Sequence, residues 1–176
     1  MRKYSDCPAV VREFLSYHEN IKAQSPRTIA EYHLDMRMFL RFMKLMREGR
    51  SLNVPFEDVD IRDIDLDFIA GITTSDVYEF LSWLANDRTA DPDAPASERG
   101  ISASSRARKL SALKSFYKFL TVRTKQLDEN PVADLEYPKL RRSLPRYLTL
   151  EQSAALLNAV SGPNEKRDYA ILMIFL

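Results

Sequence analysis

The chain has 176 residues, 45% of them hydrophobic, and an almost balanced 26 Lys/Arg against 25 Asp/Glu. That is length for one cored domain and part of another; no run approaches the ~20 apolar residues of a membrane span, and a lone cysteine, Cys7, excludes an internal disulfide framework and fits a reducing compartment. The charge balance is only global: residues 1–50 carry ten Lys/Arg and six Asp/Glu, residues 51–100 three and twelve, and residues 101–148 eleven and four, which sets a polyanion-facing surface against an acidic, solvated part.

Residues 1–14 hold no apolar core of signal-peptide length, so the expected localisation is cytoplasmic. Pro8 suits a first helical turn, and Val10, Val11, Phe14, Leu15, His18 and Ile21 recur at helical spacing to about Ala23. His18 reads as a core-edge residue, because nothing nearby offers a second metal-binding group.

A second helix opens with Ser25 as cap and Pro26 in its first turn. Ile29, Tyr32, Met36, Phe39, Leu40 and Met43 form one apolar arc, and Leu34, Met38, Phe42 and Leu45 another. A helix apolar on two sides is wedged between neighbours in a bundle. The strip between the arcs, Ala30, His33, Arg37, Arg41 and Lys44, is expected to stay exposed, one small residue followed by basic ones.

Residues 47–72 are an acid-rich connector whose apolar residues keep no long rhythm. Asp58, Asp60 and Asp63 suggest a calcium loop, but the glycine that such a loop needs at its turn is missing; no metal and no cofactor are expected. Thr73 opens a third helix with Asp76 as capping-box partner, and Val77, Phe80, Leu81 and Leu84 form its buried stripe. Residues 86–100, with two prolines and almost no large apolar side chain, read as a flexible loop.

Residues 102–122, SASSRARKLSALKSFYKFLTV, form the helix around which the rest is organised, capped by Ser102. Ala112, Leu113, Phe116, Phe119 and Leu120 share one arc, with Leu110 and Tyr117 at its edge. The opposite face carries Ser104, Ala107, Arg108, Ser111, Lys114, Ser115 and Lys118, and the chain has no carboxylate between Glu98 and Asp128. Small side chains let a helix backbone approach a polyanion closely while flanking cations reach its phosphates.

Asp128 to Pro131 is a turn, followed by the apolar Val132, Ala133 and Leu135. Residues 137–147, YPKLRRSLPRY, combine two prolines and four cations and read as an extended linker. Thr149 and Gln152 restart helical structure with a capping box, and Lys166, Arg167 and Asp168 lead into the apolar run of residues 169–176.

In this order the motifs resemble the amino-terminal part of a tyrosine recombinase, of phage integrase or Xer type. SPRTIAEYHLDMRMFLRFM matches the family's second helix and SSRARKLSALKSFYKFL its DNA-facing helix. ENPVADLEYPKLRRSLPRYLTLEQ matches its interdomain linker, and KRDYAILMIFL the helix that opens its catalytic domain. The acidic connector and the loop at 86–100 are longer than in a short Xer-type protein, which points toward an integrase relative and leaves the subfamily open.

The resemblance implies an all-α chain: a four- to five-helix, SAM-like core-binding bundle, an extended linker, and the first helices of a truncated catalytic domain. The corresponding boundaries are 1–135, 136–148 and 149–176. Arg108, Lys109 and Lys114 fall where the family's DNA-facing helix is usually basic, and the helix around Thr28 to Arg41 matches its second DNA-facing helix. Joined to the faces described above, this makes Thr28, His33, Arg37, Arg41, Ser104, Ser105, Arg106, Arg108, Lys109, Ser111, Lys114, Lys118, Arg141 and Arg142 the candidate DNA contacts.

The family cleaves DNA with a tyrosine nucleophile, leaving a phosphotyrosyl link whose formation Arg, Lys and His residues assist. Its first catalytic arginine lies just past a helix like residues 169–176, so no residue of this chain is expected to be catalytic. Implied partners are double-stranded DNA and other recombinase protomers on it, with residues 149–176 either self-associating or mobile while 8–135 fold independently. Two other classes are compatible with the basic faces alone: a helical DNA-binding regulator that does not cut DNA, and a module that binds an acidic protein partner.

Overall fold

Ser, Thr and Asp caps set where helices start, and two-sided apolar patterning decides which helix is central. The computed structural model describes residues 3–52, 54–88, 100–139 and 147–176, and every regular element among them is helical. They fall into two units, Met1–Leu140 and Arg141–Leu176.

In the first unit, α1 spans Ala9–Ser16 and widens into a π-helical turn at Tyr17–Ile21. The 22-residue α2, Pro26–Arg47, is capped by Ser25, whose Oγ accepts from the Thr28 amide at 3.2 Å. A short α3, Leu66–Ala70, is capped by Asp65. Thr73 and Asp76 form the expected capping box of α4, Thr74–Asn86. Ser102 caps α5, Ala103–Lys118, which ends in a second π-helical turn at Phe119–Arg123.

α2 is the spine. Its residues Met36, Phe39, Leu40 and Leu45 are fully enclosed. Phe39 and Phe42 stand 5.2 and 5.3 Å from the ring of Phe80 on α4. On the α1 side, Phe14 contacts Tyr32 at 5.4 Å and Phe116 of α5 at 5.3 Å. Such aromatic pairs add about 0.5–1.5 kcal/mol each beyond their burial. The arc expected on α5 is buried in full, from Leu110 to Leu120.

The acidic connector is tied down by its apolar residues. Val59, Ile61, Ile64, Ile69 and Ile72 are buried, and Phe56 stacks on Trp83 at 5.1 Å. At the entry to α5, Gly100 has φ +88°, and a Cβ there would lie 2.0 Å from the Ala85 carbonyl oxygen. Only glycine fits, and the adjacent Ile101 amide donates to Leu84 O at 2.8 Å, fixing the start of α5 to the end of α4. Most of the loop expected at 86–100 lies outside the described residues, as does the centre of the expected linker.

The second unit holds α6, Leu150–Asn158, and α7, Glu165–Phe175. Thr149 and Gln152 form the expected capping box. Neither helix buries a residue, and Leu150, Ile174 and Phe175 are each more than 80% exposed.

His18 sits inside the first unit, edge-on to Phe14 at 4.6 Å, with Nδ1 2.9 Å from Gln24 Oε1 and Nε2 3.2 Å from Ser115 Oγ. Burial holds its pKa below the usual 6.5. The unfolded chain therefore takes up a proton first as pH falls, so stability is intact above about pH 6.5 and declines below it, by up to about 1.4 kcal/mol per pH unit per proton. Urea unfolding between pH 7.5 and 5 should show that decline, and the slope in a His18→Asn variant should be shallower by one proton.

Candidate nucleic-acid interface

Residues three and four apart share a helix face, so Ser104, Arg108, Ser111, Ser115 and Lys118 make one stripe along α5. Ser104, Arg108, Ser111 and Lys118 are exposed and Ser115 is half-buried. On α2 the same rule lines up Arg27, Ala30, Glu31 and Leu34, of which all but the half-buried Glu31 are exposed. The stripes meet where Arg108 reaches Glu31 Oε2 at 3.0 Å. One end of the α5 stripe is steadied from below by His18, which bonds Ser115 and Gln24.

Beneath this surface lies a carboxylate that the basic run of α5 does not reveal. Asp35 of α2 is 2% exposed and accepts two bonds from Arg108, at 2.7 and 2.9 Å, and a third from Lys109 Nζ at 2.8 Å. Lys109, expected among the DNA contacts, is buried and committed to this clasp. Arg108 remains 44% exposed at its side chain. With Glu31, the centre of the surface holds two cations and two anions, and so carries no net charge.

The α2 strip expected to be exposed is mostly covered. Arg41 is buried, its Nε donating to Val59 O at 3.1 Å and its Nη2 to Glu57 O at 3.2 Å; burial lowers its pKa. Lys44 donates to Asp60 O and to both oxygens of Asp63, at 2.6 and 2.7 Å. Those two side chains hold the acidic connector on α2 and so cover the Arg41 and Lys44 end of the strip, while Ala30 at its other end stays exposed. His33 Nε2 lies 3.1 Å from Asp6 Oδ1, and Arg37 Nε 3.0 Å from Asp6 Oδ2 without hydrogen-bond geometry. His33, Arg37 and Arg41 are thus not gathered onto the α5 stripe.

The remaining expected contacts divide. Thr28 Oγ1 pairs with the cap residue Ser25 at 2.9 Å, at the start of the α2 stripe. Ser104 and Ser105 sit in the first turn of α5 beside Ser102, and Arg106 turns back to donate to Ile101 O at 2.6 Å. Lys114 donates to Ala133 O at 2.9 Å and lies 5.3 Å over the Tyr137 ring. Ser111 donates to Ala107 O at 3.1 Å and reaches the Tyr137 hydroxyl at 3.5 Å. Lys118 is exposed and carries no side-chain partner among the described residues, and Arg141 and Arg142 lie outside them. Arg27, Glu31 and Tyr137 belong to this surface and Asp35 lies beneath it, and none of the four is among the expected contacts. Only Arg27 had a sequence signal, as a cation four residues ahead of Glu31.

Asp6, Cys7 and His33 bring possible ligand atoms within 4.8 Å of one another. Burial pushes the Cys7 thiol up to about 12, and Arg37 and Arg41 crowd the same group. Asp6 already faces His33 and Arg37, so these three side chains belong to an ion-pair cluster.

Residues 61–124 match the family model described as phage integrase, N-terminal SAM-like domain. Over 169 residues the chain is 42% identical to a tyrosine recombinase XerC of Caldanaerobacter subterraneus subsp. tengcongensis, covering 96% of this chain and 45% of the relative. It is 31% identical to a tyrosine recombinase XerD of Shewanella oneidensis, covering 98% and 47%, and 31% identical to a XerC of Myxococcus xanthus, covering 93% and 44%. The chain spans a little under half the length of these curated relatives. The relatives are of Xer type in spite of the long connector. No solved structure matches.

Removing Asp35 strands Lys109 as a buried charge, and breaking such a cluster costs about 3–5 kcal/mol. Asp35→Ala should lower the unfolding free energy by that amount in a urea titration. Arg108→Ala, which leaves Lys109 on Asp35, should cost markedly less; equal losses would show that the clasp does not work as described.

Proposed function

The chain belongs to the tyrosine recombinase family, as an amino-terminal region of it, and from that premise we propose that it binds double-stranded DNA for a site-specific recombinase. The observation that carries the reading is the α5 stripe, in which small hydroxyl residues alternate with Arg108 and Lys118 beside the exposed Arg27 of α2. Thr28, Ser104, Ser105 and Ser111 supply hydroxyls that suit phosphate oxygens, and Arg27, Lys114 and Lys118, with the linker's Arg141 and Arg142, supply charge. Lys109 and Arg41 act through packing.

In this reading a longer parent enzyme exchanges DNA strands through a phosphotyrosyl link in the cytoplasm, and residues 1–135 serve the holding of DNA and not its cleavage. Residues 136–148 are the linker, and residues 149–176 open the catalytic domain. Other protomers on the same DNA are the protein partners. Ile171, Ile174 and Phe175, all exposed, support self-association through residues 149–176.

Five phosphates neutralised by those cations give a slope of log affinity against log salt of about −4.5. Gel retardation of duplex DNA across a salt series should return that value, and the Arg27→Ala, Lys118→Ala double variant should flatten it by about 2. A chain that retards no duplex at low salt, or a double variant with an unaltered slope, would overturn the reading.

A further inference from the structure

A carboxylate in the middle of a phosphate-binding surface needs an explanation. Glu31 is as exposed as its partner Arg108, both at 44% of the side chain, and it stands where the two stripes meet. A phosphate approaching Arg108 would also approach the Glu31 carboxylate, 3.0 Å from that guanidinium, and be repelled by it. Nor is Glu31 needed to satisfy Arg108, whose two terminal nitrogens already engage the buried Asp35.

What the pair presents outward is a donor set beside an acceptor. Guanidinium has five N–H groups, and the edge formed by Nε–H and the second Nη2–H of Arg108 makes no bond among the described residues. One oxygen of Glu31, Oε1, is likewise unengaged. Phosphates call for donors alone, whereas a base-pair edge offers both kinds of group: guanine N7 and O6 accept, and the cytosine N4 amino group donates. The surroundings fit a groove floor. Ser104, Ala107 and Ser111 are small, and Ala30 and Leu34, the latter 51% exposed, offer apolar contact of the kind a thymine methyl takes.

We propose that Glu31 and Arg108 together read one G·C base pair in the major groove, Glu31 accepting from cytosine N4–H and Arg108 donating to guanine N7 and O6. The assignment rests on the DNA-binding reading above. It makes Glu31 a specificity-determining residue held in place by Arg108, and it divides the surface into a neutral reading centre and cationic flanks.

The test is selection from a randomised duplex library by the chain, followed by titration of the selected duplex and of its variant with that pair inverted. The unsubstituted protein should select a fixed G·C pair and prefer it over the inverted pair by about 5- to 100-fold. Glu31→Ala should lose that preference, bind random duplex more tightly because a negative charge is gone, and unfold at the same urea concentration. Selection of no fixed G·C pair, or a preference that Glu31→Ala leaves intact, overturns the proposal while leaving DNA binding standing. Failure of the unsubstituted chain to bind any duplex removes the DNA-binding reading and the proposal with it.

Discussion

A carboxylate with 2% of its surface exposed and three cationic hydrogen bonds fixes how α2 lies against α5. Two helices packed by apolar arcs alone can slide by a fraction of a turn at small cost, since hydrophobic burial is non-directional. Asp35 removes that freedom. A buried ion cluster is weak evidence for stability but good evidence for register, because any slip leaves a charge uncompensated. The polar stripes on the two helices meet in one arrangement only, and that meeting creates the surface assigned to DNA.

The same logic separates being basic from being available. Residues 1–50 carry an excess of positive charge, yet Arg41 and Lys44 are used to fasten the connector through Val59, Glu57, Asp60 and Asp63. The acidic block of residues 51–100 is therefore partly a counter-surface for α2 as well as a solvated region. A guanidinium satisfied by backbone carbonyls under a buried connector cannot also reach a phosphate. Among the described residues, the charge on this surface that remains free lies at its edges, on Arg27 and Lys118.

Local signals in the sequence gave the local structure. Ser25, Thr73, Ser102 and Thr149 all cap the helices they precede, and the apolar arc of α5 is the buried one, because both features depend on spacing within a few residues. The short α3 escaped because a five-residue helix is too brief to show a period. Pairings across the fold escaped for a different reason. Arg108 and Asp35 are 73 residues apart, and nothing in either neighbourhood names the other. The covering of the α2 strip escaped for the same reason: its periodicity is genuine, but Asp6 faces His33 and Arg37 and a connector without periodicity takes Arg41 and Lys44, leaving only Ala30 exposed.

The absence of acids along α5 suggested a uniformly positive face, and the fold supplies the acids from α2 instead. A uniformly positive face would hold any duplex equally well, since phosphate contacts carry no sequence information. The site-specific binding proposed here needs a second term that differs between sequences. Placing Glu31 against Arg108 lowers the attraction for phosphates at the centre while leaving a donor edge and an acceptor oxygen side by side. Weakening non-specific binding at that one point and keeping it at the flanks raises the ratio of specific to non-specific affinity, which is the quantity that selects a site among many competitors.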